Sequence, residues 1–103
     1  MLKLQPKATF TVPVEIPVPG ATAPVEIKVE FHYKGRKALV AFYEGLDGKT
    51  DADGLKEIVA GWKGVDVEFS AENLEALVDN YPSAAGALFS AFAEEAHKAK
   101  VKN

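Results

Sequence analysis

Two segments near the start of the chain alternate between apolar and polar residues, in residues 8–18 and again in residues 25–33. The apolar positions are Phe10, Val12, Val14, Ile16 and Val18 in the first segment, and Val25, Ile27, Val29, Phe31 and Tyr33 in the second. A period of two predicts β-strands that each bury one face. Residues 19–24, Pro-Gly-Ala-Thr-Ala-Pro, are turn-forming, so the sequence predicts an antiparallel β-hairpin over about residues 8–33.

Two prolines indicate where the first strand lies in the sheet. Pro13 and Pro17 are four residues apart, so both would direct their backbone nitrogens to the same side of the strand. Proline has no N–H group to donate to a neighbouring strand. We therefore expect the first strand to lie at the edge of the sheet, with its outer side blocked against further pairing. A hairpin of two strands is marginally stable alone, so the remaining residues must cover its apolar face.

The rest of the chain, about residues 36–98, predicts helices. Residues 36–44 carry the apolar stripe Leu39, Phe42 and Tyr43, with Gly45 as the expected C-cap. A second helix is expected from Thr50 or Asp51 to about Trp62, since apolar residues recur at the spacing of one helical face. Its apolar positions are Leu55, Ile58, Val59 and Trp62. Val65, Val67 and Phe69 alternate briefly, which fits either an extended connector or a third short strand.

Two more helices follow. Ser70 is the expected N-cap of the third, whose face carries Leu74, Leu77, Val78 and Tyr81, and Pro82 is expected to end it. Ser83 can cap the fourth helix, which is rich in alanine and has Leu88, Phe89 and Phe92 as its large apolar residues. Small residues allow close helix packing inside the monomer, or they can belong to a protein–protein interface. Both interpretations remain open at this stage. The predicted fold class is α+β, a hairpin packed on about four short helices in a single domain.

Composition narrows the class of protein. The 103 residues carry a net charge of −3 and no cysteine. Without a basic surface, nucleic acid is not an expected partner. Without cysteine, neither disulfides nor thiolate metal sites are possible. No apolar segment approaches the length of a signal sequence core or a membrane span, so we expect a cytoplasmic protein with no membrane partner.

No candidate catalytic or metal-binding motif emerges. Residues 47–54 (Asp-Gly-Lys-Thr-Asp-Ala-Asp-Gly) resemble a calcium loop, but placing Gly54 at position 6 puts Lys49 at position 1 and Ala60 at position 12, where acidic ligands are needed. The two histidines, His32 and His97, are far apart in the sequence. No serine lies in a nucleophile elbow, and no glycine-rich phosphate loop is present. We expect a binding protein with no enzymatic activity, cofactor or metal.

Three stretches of the chain resemble the tail assembly chaperones of long-tailed bacteriophages. They are the hairpin F-T-V-P-V-E-I-P-V-P-G with V-E-I-K-V-E-F-H-Y, the block T-D-A-D-G-L-K-E-I-V-A-G-W-K-G-V-D, and the segment E-F-S-A-E-N-L-E-A-L-V-D-N-Y-P-S-A-A-G-A-L-F-S-A-F. Together they cover roughly residues 8–95. Residues 36–44 depart from the pattern, since a more polar start to that helix is expected.

The resemblance implies a chaperone that binds the tape measure protein and keeps it soluble while the tail tube assembles. It also implies a homo-oligomer that acts in the host cytoplasm and is absent from the mature virion. In such families a longer form, made by ribosomal frameshifting, is thought to recruit the tail tube protein. The alternative is a structural tail-completion or head–tail connector protein that is retained in the virion.

The family fixes no binding motif, so the candidate partner-binding residues are chosen by residue type. They are Trp62, Tyr81, Leu88, Phe89 and Phe92. On this hypothesis Phe92→Asp abolishes binding and leaves the monomer folded, whereas global unfolding of the variant would assign Phe92 to the core. We expect any self-association to use helices rather than strand addition, because proline blocks the edge of the hairpin.

Overall fold

The computed structural model describes residues 1–98 and confirms an α+β fold in which the N-terminal hairpin packs on helices. The strands are β1 (Thr9–Ile16), β2 (Val25–His32) and β3 (Val59–Lys63), and the helices are α1 (Arg36–Gly45), α2 (Asp51–Lys56), α3 (Ala71–Asn80) and α4 (Ala84–His97). The three strands form one antiparallel sheet in the order β1-β2-β3. Residues 1–8 precede the sheet as an arm without regular secondary structure, with bends at Leu4 and Gln5.

The hairpin forms as its alternating pattern predicts. β1 and β2 are paired from Thr9 opposite His32 to Ile16 opposite Val25. The Tyr33 backbone N–H donates to the carbonyl of Ala8 at 2.8 Å, so the even-numbered backbone groups of β1 face β2. The odd-numbered Pro13 therefore directs its nitrogen away from the sheet. β1 is an edge strand, as expected from its prolines.

The third strand is where the sequence-based prediction is wrong. The helix expected to extend to Trp62 ends at Lys56, and Trp62 lies on β3 opposite Val29. A longer helix would leave the second edge of β2 without hydrogen-bond partners, whereas β3 satisfies those groups. Val59 and Gly61 also favour a helix less than most residues do. Residues 65–69 form the connector rather than a strand.

The helix ends confirm some predicted caps and correct others. The Ser70 hydroxyl accepts a hydrogen bond from the Asn73 N–H at 3.0 Å, which caps α3 as predicted. Thr50, rather than Asp51, caps α2. Ser83 occupies the N-cap position of α4, but its own backbone is helical and its side chain makes no capping bond.

Three residues predicted to be buried lie largely at the surface. Val25, the first residue of β2, is 50% exposed, Tyr33, just after its last residue, is 49% exposed, and Tyr43 on α1 is 38% exposed. The sheet and helices do not extend far enough to cover these positions. Gly45, expected as the C-cap of α1, is instead its last helical residue, and Leu46 occupies the cap position.

The core lies between the apolar face of the sheet and the helices. α4 packs across β1 and places Phe92, which is 1% exposed, among three other phenylalanines. Its ring centroid lies 5.5 Å from that of Phe31, 5.8 Å from that of Phe42 and 6.1 Å from that of Phe10. One side chain therefore joins α4 to β1, β2 and α1. Leu88, one turn earlier on α4, is fully buried in the same core.

Truncating Phe92 should strongly destabilise the protein. Phe92→Ala removes a buried ring with aromatic neighbours on three elements, so we expect a loss of about 3–5 kcal/mol in the free energy of unfolding. Phe92→Asp should abolish folding, since it would bury an unpaired carboxylate. Denaturant unfolding measures both effects. Val40→Ala, at a position 51% exposed on α1, is the control and should change stability by less than about 0.5 kcal/mol. A Phe92→Ala protein as stable as this control would contradict the packing.

The two helix-cap serines should respond differently to alanine. Ser70→Ala removes the bond to the Asn73 N–H and should cost about 1 kcal/mol. Ser83→Ala removes no capping bond and should cost a few tenths of a kcal/mol at most. Thermal unfolding of the two variants side by side measures the difference. Equal losses would show that the Ser70 bond does not stabilise α3.

Candidate functional site

An apolar groove lies at the turn end of the hairpin, and we call it the hairpin groove. It has a volume of about 220 Å³. Strands β1 and β2, the connector after β3 and the last turn of α3 all contribute to it. Its lining residues are Ile16, Val18, Val25, Ile27, Gly64, Val65, Asp66, Leu77 and Tyr81. Asp66 is the only charged residue among them, so an occupant would meet a largely hydrocarbon surface.

The groove exists because β3 is shorter than the hairpin. β3 pairs with β2 only at Lys28 and the residues after it. Between Lys28 and the hairpin turn, the sheet therefore has only the two strands β1 and β2. The chain then turns at Gly64, whose φ of +94° is accessible mainly to glycine. A Cβ atom at Gly64 would lie 3.4 Å from the Cα of Ile27, so the chain passes close beneath β2 there. The turn carries Val65 into the groove beside Ile27.

The far side of the groove depends on how α3 ends. Pro82 stops the helix, and Tyr81 before it adopts an extended backbone with φ −123° and ψ 98°. The Tyr81 N–H still donates to the carbonyl of Leu77 at 3.0 Å, which keeps the two residues close together. Both side chains are half-buried and line the groove. Of the five candidate partner-binding residues, Tyr81 is the one that lies here.

The other four candidates are distributed over the molecule. Leu88 and Phe92 are core residues, 0% and 1% exposed, so the folded monomer does not present them to a partner. Trp62 is partly buried on β3, where its indole N–H donates to the carbonyl of Val67 at 2.9 Å. Phe89 is partly buried where α4 meets α2. The structure does not bring the five together, and their role in partner binding stays a prediction.

Sequence reasoning missed most residues of the groove. Val18 and Val25 were assigned to the buried face of the hairpin, and Val65 to a connector without a role. Their types and alternation gave no sign that the sheet would narrow at this end. The sheet narrows because β3 is short. The helical spacing of Leu55, Ile58 and Val59 predicted a helix in place of this strand, so the sequence did not indicate its length.

A second, larger groove between α2 and α3 has the opposite chemistry. Its volume is about 800 Å³, and its charged lining residues are all acidic: Asp51, Asp53, Glu72, Glu75 and Asp79. Lys56 lies beside it, with its Nζ 2.6 Å from a Glu75 oxygen and 3.6 Å from an Asp53 oxygen. The hydrogen bond to Glu75 and the nearby negative charges raise the pKa of Lys56. The positive charge of Lys56 offsets part of the negative charge of the groove.

The structure is a small α+β domain with an apolar groove at the turn end of the hairpin and an acidic groove between α2 and α3. A sequence model for the family described as phage tail assembly chaperone matches residues 1–103, which is the whole chain. The protein belongs to this family and has a chaperone role in phage tail assembly. No similar curated protein and no similar solved structure was found. Within residues 1–98, no helix is both long and apolar enough to span a membrane.

Gly54 on α2 tests the packing around Phe89. A Cβ atom at this position would lie 2.7 Å from Leu46 Cδ2 and 3.2 Å from Phe89 Cζ. Both side chains must move, and the gain of about 0.5–1 kcal/mol that alanine brings to a helix offsets part of this cost, so Gly54→Ala should destabilise the protein by at most about 2 kcal/mol. Gly86→Ala on α4 is the matched control. Its Cβ meets nothing within 4 Å, so it should stabilise the helix by about 0.5–1 kcal/mol. Denaturant unfolding that gave both variants the same sign would contradict this packing.

Proposed function

We propose that the protein binds the tape measure protein through the hairpin groove and keeps it soluble while the tail tube assembles. The match of the tail assembly chaperone family to residues 1–103 is the observation that carries the proposal. A long helical protein whose apolar stripes are exposed before assembly needs an apolar surface that shields them. Apolar grooves bind the apolar face of an amphipathic helix through side chains spaced three or four residues apart.

The lining of the hairpin groove supports this kind of contact. Val25 is half exposed, and Val18, Val65, Leu77 and Tyr81 are only partly buried, so each loses contact with water when an apolar side chain enters. The position of Val65 is set by the turn at Gly64, and that of Tyr81 by Pro82. A groove fixed in this way loses little conformational entropy on binding. The Tyr81 hydroxyl adds a polar group that can orient the bound segment.

The proposal extends to the setting in which the protein acts. It acts by binding, without enzymatic activity, in the host cytoplasm, and it leaves before the virion is complete. A longer form produced by frameshifting would recruit the tail tube protein to the same complex. These features follow from what the tail assembly chaperone resemblance implies, and the family match supports them at the level of tail assembly.

The test is co-expression of the protein with the tape measure protein of the same tail gene cluster, followed by pull-down and sizing of the complex. The wild-type protein should bring an otherwise insoluble partner into solution. Val25→Asp places a carboxylate at the mouth of the groove and should weaken binding at least about tenfold. Val40→Asp is the control, since Val40 is 51% exposed against 50% for Val25 but lies on α1.

Each outcome has a defined meaning. Loss of binding in Val25→Asp but not in Val40→Asp would place the contact at the groove. If both variants bind the tape measure protein equally well, the groove is not the binding site. If the wild-type protein fails to bind the tape measure protein and is instead found in purified particles, it is a structural tail-completion or connector protein.

A further inference from the structure

The arm before β1 exposes apolar side chains almost completely. Met1, Leu2 and Leu4 are 119%, 96% and 97% exposed, the highest values among the large hydrophobic residues of the described chain. Such exposure is unfavourable in water and is relieved when the side chains enter an apolar site. Bound as an extended segment, the arm would direct Leu2 and Leu4 to one side and Lys3 to the other. The arm thus presents a pair of leucines to any surface that accepts them.

The hairpin groove of the same molecule lies beyond the reach of this pair. The Ala8 carbonyl accepts a hydrogen bond from the Tyr33 N–H, which holds Ala8 against β2. Only the residues before Ala8 could therefore turn toward the groove without breaking the sheet. From Ala8, Leu4 reaches at most about 14 Å and Leu2 about 21 Å. The groove begins near Ile16, about 26 Å along β1 from Ala8. α4 also covers the apolar face of the sheet between the two places.

We propose that the arm of one copy inserts Leu2 and Leu4 into the hairpin groove of a second copy. The groove, at about 220 Å³, exceeds the ~150 Å³ of an apolar cavity that accepts a benzene ring. The charges are also complementary. The arm carries Lys3 and Lys7 and no carboxylate, whereas Asp66 is the only charged residue that lines the groove.

This contact joins different surfaces of the two copies, because the arm and the groove lie at opposite ends of the sheet. Such head-to-tail contacts build rings when the rotation closes and open chains when it does not. If the groove is also where the tape measure protein binds, which rests on the proposed function, then the arm and that partner compete. The groove of each copy would then be shielded by the arm of another copy until a tail protein displaces that arm.

The absence of cysteine from the chain allows a direct test by cross-linking of purified protein. Leu4→Cys protein is mixed with Val25→Cys protein of different mass, and the mixed disulfide formed under mild oxidation is measured. Leu4→Cys mixed with Val40→Cys is the control, since Val25 and Val40 are equally exposed on different faces. We expect at least about ten times more of the first mixed disulfide, on the basis of the expected preference for the groove. Equal yields would overturn the proposal.

A second measurement follows self-association by analytical ultracentrifugation. Leu4→Asp should weaken it about ten- to a hundredfold, because a carboxylate replaces an apolar side chain in the groove. Gln5→Asp introduces the same residue next to Leu4, on the side that a bound extended arm would turn away from the groove, and should have a much smaller effect. Neither residue packs against the fold, so both variants should remain folded. A wild-type protein that is monomeric at all concentrations, or equal effects of the two variants, would overturn the proposal.

The two proposals can fail separately. The cross-linking experiment contains no tail protein, so its result depends only on the arm and the groove. If Leu4→Cys does not cross-link to Val25→Cys while Val25→Asp loses the tape measure protein, the arm proposal is wrong and the proposed function stands. If the cross-link forms and Val25→Asp binds the tape measure protein normally, the groove serves self-association alone.

Discussion

The packing of α4 across the apolar face of the hairpin is the interaction on which the rest of the structure depends. A hairpin of two strands is marginal in water, and its apolar residues need a second layer to bury them. Phe92 provides the centre of that layer, since its ring contacts aromatic rings from β1, β2 and α1. The alanines of α4 serve the same purpose. Ala84 and Ala85 are buried, so small residues let the helix approach the core closely.

The hairpin groove, which is the proposed binding surface, exists because the core does not extend to the turn end of the hairpin. The helices and β3 cover the middle of the hairpin but not its turn end, so Val25 remains half exposed beside Val18 and Val65. Water contacts apolar groups there without a compensating hydrogen bond, which gives a partner something to gain by binding. The outer face of the sheet and the surfaces of α2 and α3 carry charged side chains instead. Membership of the tail assembly chaperone family implies that the partners of the protein are tail proteins.

Local signals predicted much of the fold correctly. The alternation of the hairpin, the cap at Ser70 and the stop at Pro82 each depend on residues a few positions apart, and the structure has all three. The error at β3 has a physical cause. Leu55, Ile58 and Val59 are buried, as their spacing indicates, but burial does not distinguish a helical turn from the start of a strand. The edge of β2, distant in sequence, decided between them because its backbone groups needed partners.

The sequence by itself determined the α+β class, the edge position of β1, most helix limits and, through its resemblance to a family, a role in tail assembly. These depend on local backbone preferences and on residue patterns that can be recognised along the chain. Only the tertiary structure decided that Leu88 and Phe92 belong to the core and that Val18, Val25, Val65, Leu77 and Tyr81 form one groove. Every apolar side chain in a sequence is a candidate for burial. Which of them remain exposed depends on the lengths of elements that meet from distant parts of the chain, and no local pattern encodes that.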